Sequence, residues 1–231
     1  MPHGKTTLLD LIDALSVRPL KSDSITAASI YHAADREHPT LLIDEGDNLG
    51  LAFNGPLRAV LNSGHRRGGK VTRYRNGQAR SFSTFSPTAV AAIGTLPLPV
   101  MHRSVIIHME RHDGRRELKR LDKEDPDTKA DLNIAYRMMF AWARDAKLNS
   151  DPAMPAQLRN RPADNWRPLI AIADAFGAAW AARAREAAIA FAGEHQDEDA
   201  AVVLLRDHSR HLRGARRRSL GEQNNRSSHA P

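Results

Sequence analysis

The chain has 231 residues, 34 Lys and Arg against 27 Asp and Glu, a formal charge of +7, and 41% hydrophobic residues. That is too apolar for a disordered chain and long enough for one large domain, or one domain and an appendage. No apolar run reaches the roughly eighteen residues of a membrane helix. The absence of cysteine excludes a disulfide scaffold, a Cys-ligated zinc site and thiol catalysis. Met1 to Lys5 lacks the apolar stretch of a secretory signal, so the expected address is the cytosol, with no membrane partner.

In chain order, Leu8, Leu9, Leu11, Ile12 and Leu15 fall on one stripe of a helix over Lys5–Leu15, which a polar stretch from Pro19 breaks. Ser24–Ala34 reads as a second helix with Thr26 as its cap. Thr40–Ile43 reads as a short buried strand ending in Asp44 and Glu45. Leu57–Leu61 is helical. Val71–Phe85 carries two β-compatible arms around Arg75-Asn76-Gly77, a hairpin signal. Ala89–Ile93 and Val105–Met109 are further strand candidates. From Leu132 the chain turns rich in Ala, Leu and Arg, with helices expected over Leu132–Ala146, Trp166–Ala175, Ala178–Ala192 and Ala200–Leu212. The expected organisation is an α/β core over 1–115, a helical domain over 116–215 and a basic, disordered tail over 216–231.

Two motifs carry chemistry. Gly4-Lys5-Thr6-Thr7 at a helix start is the second half of a phosphate-binding loop, whose backbone N–H groups and helix N-terminus hold phosphates. Lys5 would reach the β- and γ-phosphates, and Thr6 would offer its hydroxyl to Mg²⁺. The loop's first glycine and its preceding strand are not in this chain, so Met1 falls where mid-loop residues are expected. An upstream start would complete the motif. The second motif, Thr40 to Glu45, is an apolar strand with an acidic pair: Asp44 for the metal shell, Glu45 to orient or deprotonate an attacking water. The plain alternative is a strand end turning into solvent.

Charge is concentrated as well. No acidic residue lies between Asp47 and Glu110, a stretch holding Arg58, Arg66, Arg67, Lys70, Arg73, Arg75, Arg80 and Arg103. Arg66, Arg67, Lys70, Arg73 and Arg75 are candidate contacts to DNA phosphates, with Tyr74 available for stacking. Alternatively Arg66 or Arg67 serves the nucleotide. A second cluster, Arg206 to Arg218, reads equally as a solvated face. The eleven histidines show no zinc-site spacing.

These strings, together with Leu61 to Gly69 (LNSGHRRGG), Phe82 to Pro87 (FSTFSP), Ile93 to Pro97 (IGTLP) and Asp164 to Ala173 (DNWRPLIAIA), resemble the AAA+-type P-loop ATPases grouped as domain of unknown function 3631, seen in phage- and plasmid-like primase–helicase proteins. The resemblance runs from about residue 4 to about residue 195. It implies a three-layer P-loop fold with a helical lid. It also implies ATP and Mg²⁺ as cofactors, DNA as partner, a homo-oligomeric ring and a helicase-like motor activity. By the same resemblance Gly4, Lys5, Thr6 and Thr7 bind nucleotide, and Thr6 and Asp44 bind metal. A sensor tip falls near Thr95, Arg103 is a finger on a neighbour's nucleotide, and Arg167 is a second sensor. From the residues alone, Arg103 could instead cap strand carbonyls or pair with Glu110, and Arg167 could pair with Asp164 or Asp174. The rival functional reading is a hydrolysis-deficient nucleotide- or DNA-binding module.

Overall fold

A computed structural model describes residues 4–75, 77–110, 112–115, 117–118 and 120–192, and the chain divides into two compact units, Met1–Ser150 and Asp151–Pro231. In the first unit the order is α1 (Lys5–Leu15), β1 (Pro19–Ser22), α2 (Ala27–Arg36), β2 (Thr40–Ile43), a 3₁₀ turn (Gly46–Leu49), α3 (Gly55–Gly64), β3 (Lys70–Arg75), β4 (Gln78–Ser83), β5 (Thr88–Val90), α4 (Leu98–Met101) and α5 (Pro126–Asp145). Strands β1, β2 and β5 form a parallel sheet in the order β1-β2-β5, and β3 and β4 form a separate antiparallel hairpin.

The central strand organises this unit. Leu41, Leu42 and Ile43 are all buried, and because side chains alternate along a strand they feed two different cores. Leu41 and Ile43 pack with Ile30 of α2, Leu57 and Val60 of α3, and Val71 and Phe82 of the hairpin. Leu42 packs on the opposite side with Leu9 and Ile12 of α1. The result is a mixed α/β arrangement with helices on both faces of a small sheet.

Local chemistry sets the helix starts. The Thr26 hydroxyl accepts the Ser29 N–H at 3.1 Å, and Asn54 Oδ1 accepts the Leu57 N–H at 3.1 Å, each satisfying an otherwise orphan donor of a first helical turn. Asp125 does the same for Thr128 at 2.8 Å, which starts α5 at Pro126, upstream of the periodic apolar residues that suggested Leu132. The LNSGHRRGG string has a packing role. A Cβ on Gly64 would lie 2.6 Å from the Thr84 carbonyl oxygen, and one on Gly69 would collide with the Ser63 carbonyl. The end of α3 thus lies directly against the root of the hairpin, where the Ser63 hydroxyl donates to Thr84 Oγ1 at 2.8 Å.

Two expectations change. Pro19–Ser22 is a strand, β1, pairing from Pro19↔Thr40 to Ser22↔Ile43. It is an edge strand with one large apolar residue, and a proline is tolerated at the start of such a strand. Conversely, residues 105–110 have no regular structure, although Val105–Met109 has the composition of a strand. β-branched residues make a strand only where a ladder partner exists, and Ile107 is exposed.

The first compact unit runs to Ser150. Lys123 ion-pairs with Asp10 of α1 at 2.8 Å, and α5 packs on α1, so both belong to the first unit.

The second unit contains α6 (Arg161–Phe176) and helical residues 178–192, separated by Gly177 at φ 115°. Trp166 is 8% exposed and its ring lies 5.9 Å from that of Phe191, so it packs the two helices together. Arg185 fastens them with bonds to Asp174 at 2.5 and 2.9 Å. The expected helix over 200–212, the basic cluster over 206–218 and the tail over 216–231 lie outside the described residues.

Candidate functional site

The carboxyl ends of β2 and β5 and the start of α1 meet at one place. Gly4 takes a left-handed conformation, φ 72°, as the residue capping α1. Lys5, the first helical residue, sends its ammonium to the Ala92 carbonyl oxygen just beyond β5, at 2.7 Å. On the other side of the same exit, Asp47 Oδ1 accepts the Ile93 N–H at 2.8 Å, and the Gly46 N–H donates to the Ala91 carbonyl at 2.8 Å. Residues 91–93 are therefore gripped from both sides, by Lys5 and by the turn after β2. The Ile93 N–H, the Asp47 backbone N–H and the Lys5 charge hold the exposed Asp47 carboxyl below the ordinary aspartate range.

The acidic pair sits on that turn. Asp44 is half-buried, and its Oδ1 accepts the Glu45 N–H at 3.0 Å. Glu45 is exposed, adopts φ 50°, and accepts Asn48 Nδ2 on Oε2 at 2.7 Å. Thr6 and Thr7 are exposed on the first turn of α1. A left-handed glycine and a lysine thus open an amphipathic helix beside the Asp47 carboxylate at the carboxyl end of a parallel sheet. Among the described residues no three His, Asp or Glu side chains gather as a preformed metal site. A Mg²⁺ held by Asp44 and Thr6 would take its remaining oxygen ligands from phosphate and water, as this ion ordinarily does.

One feature of this corner escaped the motif reading. Asp10 Oδ1, one turn beyond Thr6 and Thr7, receives Lys21 at 2.6 Å and Lys123 at 2.8 Å. Hydrogen bonds from Lys123 and then Lys21 lower the Asp10 carboxyl, and Asp10 in turn raises the Lys21 ammonium. The cluster ties α1 to β1 and to the segment before α5. Asp10 lies three residues past the Gly4 to Thr7 motif, and nothing in the spacing named its two partners.

The basic residues are not one patch. The register Val71↔Phe82, Arg73↔Arg80 puts those residues on the hairpin face that carries buried Val71 and Phe82, and puts Lys70, Thr72 and Tyr74 on the other. Arg73 lies over the Tyr31 ring at 5.3 Å. Arg80 lies over Phe82 at 4.7 Å and 3.7 Å from Asp35. Both arginines therefore anchor the hairpin to α2. Arg67 lies over Phe85 at 5.7 Å. Arg66 and Lys70 are exposed, Tyr74 is 76% exposed, and Arg75 pairs with Gln78 at the tip of the ladder.

Arg103, just past α4, donates to the Pro99 carbonyl at 2.7 Å and is half-buried; the carbonyl it caps belongs to a helix, not a strand. Arg167 belongs to the second unit, where it ion-pairs with Asp151 rather than with Asp164 or Asp174, the latter being engaged by Arg185. Among the described residues, no helix is long and apolar enough to cross a membrane.

The chain is 39% identical over 78 residues to the "Uncharacterized 28.9 kDa protein in xis 5'region" of Saccharopolyspora erythraea; the match covers 32% of this chain and 29% of that relative. The chain thus spans under a third of that protein. A family match, to "Protein of unknown function (DUF3631)", covers residues 108–224. It includes the Asp164–Ala173 string and lies downstream of the phosphate-loop and acidic-pair strings. Spanning half of the sequence, it assigns the chain to a family: this protein belongs to the DUF3631 family.

Proposed function

We propose that the first unit binds and hydrolyses ATP as an AAA+-like P-loop ATPase, and that hydrolysis drives a helicase-like or remodelling activity on DNA of a mobile element. The carrying observation is that Lys5 and the Asp44–Asp47 turn are both anchored on residues 91–93, which sets a phosphate-seeking ammonium and two carboxylates around one strand exit. Lys5 and the N–H groups at the start of α1 would hold the phosphates. Asp44 and Thr6 would hold Mg²⁺, which when bound neutralises charge on phosphate oxygens. Glu45 would take a proton from the attacking water. Arg66, Lys70 and Tyr74 would meet the DNA, and Arg103 would act on a neighbour's nucleotide in an oligomeric ring. The mobile-element setting is supported by the relative's position beside xis, stated in its name.

The test is DNA-stimulated ATP hydrolysis by the chain, beside Glu45→Gln and a version extended upstream of Met1. Turnover lost in Glu45→Gln with nucleotide binding retained supports the reading. The rival is a hydrolysis-deficient nucleotide- or DNA-binding module. Nucleotide binding without turnover in either version would establish that rival.

A further inference from the structure

The turn after β2 is held more tightly than a strand end requires. Glu45 occupies the left-handed region at φ 50°, which a side chain with a Cβ adopts at a cost. Five hydrogen bonds keep it there. Asp44 Oδ1 takes the Glu45 N–H, and the Asn48 N–H donates to the Glu45 carbonyl at 2.8 Å. The Gly46 N–H and Asp47 Oδ1 pin the turn to residues 91 and 93. The last bond, Asn48 Nδ2 to Glu45 Oε2 at 2.7 Å, is the only one of the five that fixes the carboxylate rather than the backbone. Gly46 completes the lock, because a Cβ there would collide with the Val90 side chain.

From this arrangement we infer that Asn48 is a positioning residue for Glu45. Its amide selects one rotamer of an exposed, otherwise mobile carboxylate and leaves the second carboxylate oxygen, Oε1, for a water proton. The inference rests on the hydrolysis reading above. A solvent-exposed glutamate samples several rotamers, and a general base displaced by about an ångström loses on the order of a hundredfold in rate. Asn48 forms no part of the phosphate-holding set, so the loss belongs in turnover and not in nucleotide affinity.

The experiment compares wild type, Asn48→Ala, the isosteric Asn48→Asp, Glu45→Gln, and the double variant Asn48→Ala/Glu45→Gln. It reads kcat, KM for ATP, affinity for a fluorescent ATP analogue, and thermal midpoint. The expected result is a ten- to hundredfold fall in kcat, as an order of magnitude, for both Asn48 variants at unchanged KM, affinity and midpoint. The double variant should be no slower than Glu45→Gln alone, because two residues acting as one unit do not add. Wild-type kcat in Asn48→Asp and Asn48→Ala, or losses that multiply in the double variant, would overturn the inference while leaving the hydrolysis reading intact. Nucleotide binding without wild-type turnover would bring down the hydrolysis reading and this inference with it.

Discussion

The Lys5 ammonium donates to the Ala92 carbonyl oxygen at 2.7 Å across 87 residues of sequence, joining the start of α1 to the exit of β5. An ammonium at a helix start is disfavoured by the positive end of the helix dipole, and the carbonyl oxygen offsets part of that cost. What the bond does is hold the side chain over the carboxyl end of the sheet. An arriving phosphate would exchange a neutral carbonyl for an anion, a stronger partner.

That exchange makes Lys5→Ala informative. Nucleotide affinity should fall by tenfold or more, about 1.4 kcal/mol or beyond, whereas stability should change by no more than about 1 kcal/mol for one partly solvated hydrogen bond. Calorimetric titration with ATP beside a urea melt measures both. An affinity equal to wild type would remove Lys5 from the phosphate site.

Asp10 sets an acid limit on the first unit. Its folded carboxyl is lowered by Lys123 and Lys21, so the stability it contributes is present above the unfolded aspartate pKa of about 3.9 and is lost as pH falls through the lower folded value. The Lys21 ammonium is raised by Asp10, so its contribution is present below about 10.4 and is lost as pH rises through the higher folded value. Asp10→Asn should cost about 1 kcal/mol at pH 7. That difference should shrink between pH 4 and pH 2 in urea midpoints taken across the range. A difference that stayed constant to pH 2 would mean the pairs contribute little.

The split faces of the hairpin separate binding from folding. Tyr74→Ala and Lys70→Ala should weaken single-stranded DNA binding, and Lys70→Ala should reduce the slope of log affinity against log salt by about 0.7 if that ammonium neutralises one phosphate. Arg73→Ala should act mainly on stability, losing about 0.5–1 kcal/mol with the contact to Tyr31. Fluorescence anisotropy at several salt concentrations, with thermal melts, distinguishes them. Equal binding losses for Arg73 and Tyr74 would mean that both faces meet the strand.

What could be read from the residues was whatever is encoded locally. Thr40–Ile43 announced itself because a fully buried strand is a continuous apolar run, and Thr26 because a hydroxyl before a helical pattern is a cap. Pro19–Ser22 was illegible because an edge strand of mixed polarity owes its existence to β2 beside it. The same holds for charge. Arg66, Arg67, Lys70, Arg73 and Arg75 look like one basic set in sequence, yet the strand period sends Lys70 and Arg73 to opposite faces, and Tyr31, forty-two positions earlier, claims Arg73. Lys5, Asp44 and Glu45 were visible as a motif. The anchoring of Lys5, Gly46 and Asp47 on residues 91–93 was not, because backbone carbonyls and N–H groups carry no sequence signature.

Gly69→Ala tests whether LNSGHRRGG is a joint rather than a ligand loop. The added Cβ would meet the Ser63 carbonyl, rigid backbone that cannot move aside, so a loss of about 1–3 kcal/mol is expected. Gly68→Ala is a weaker test of space: nothing surrounds its Cβ, but its φ of 84° imposes conformational strain. A larger loss at Gly69 than at Gly68 in urea melts would assign the string to packing. The reverse order would mean that backbone conformation, not space, decides which residue the string tolerates.

Glu45 gives the clearest conflict between stability and the proposed activity. Glu45→Gly relieves a left-handed conformation that costs a Cβ-bearing residue about 1 kcal/mol, and it forfeits one exposed hydrogen bond from Asn48. The two effects leave Glu45→Gly as stable as wild type or more so, by up to about 1 kcal/mol, which a thermal midpoint resolves as a rise of a few degrees at most. A residue kept for packing would show the opposite sign. A chain that melts no lower with glycine at this position, yet no longer turns over ATP, would mean that the strain is maintained for the carboxylate. A clear drop in midpoint would instead make Glu45 a structural part of the turn and remove the reason for assigning it the base's role.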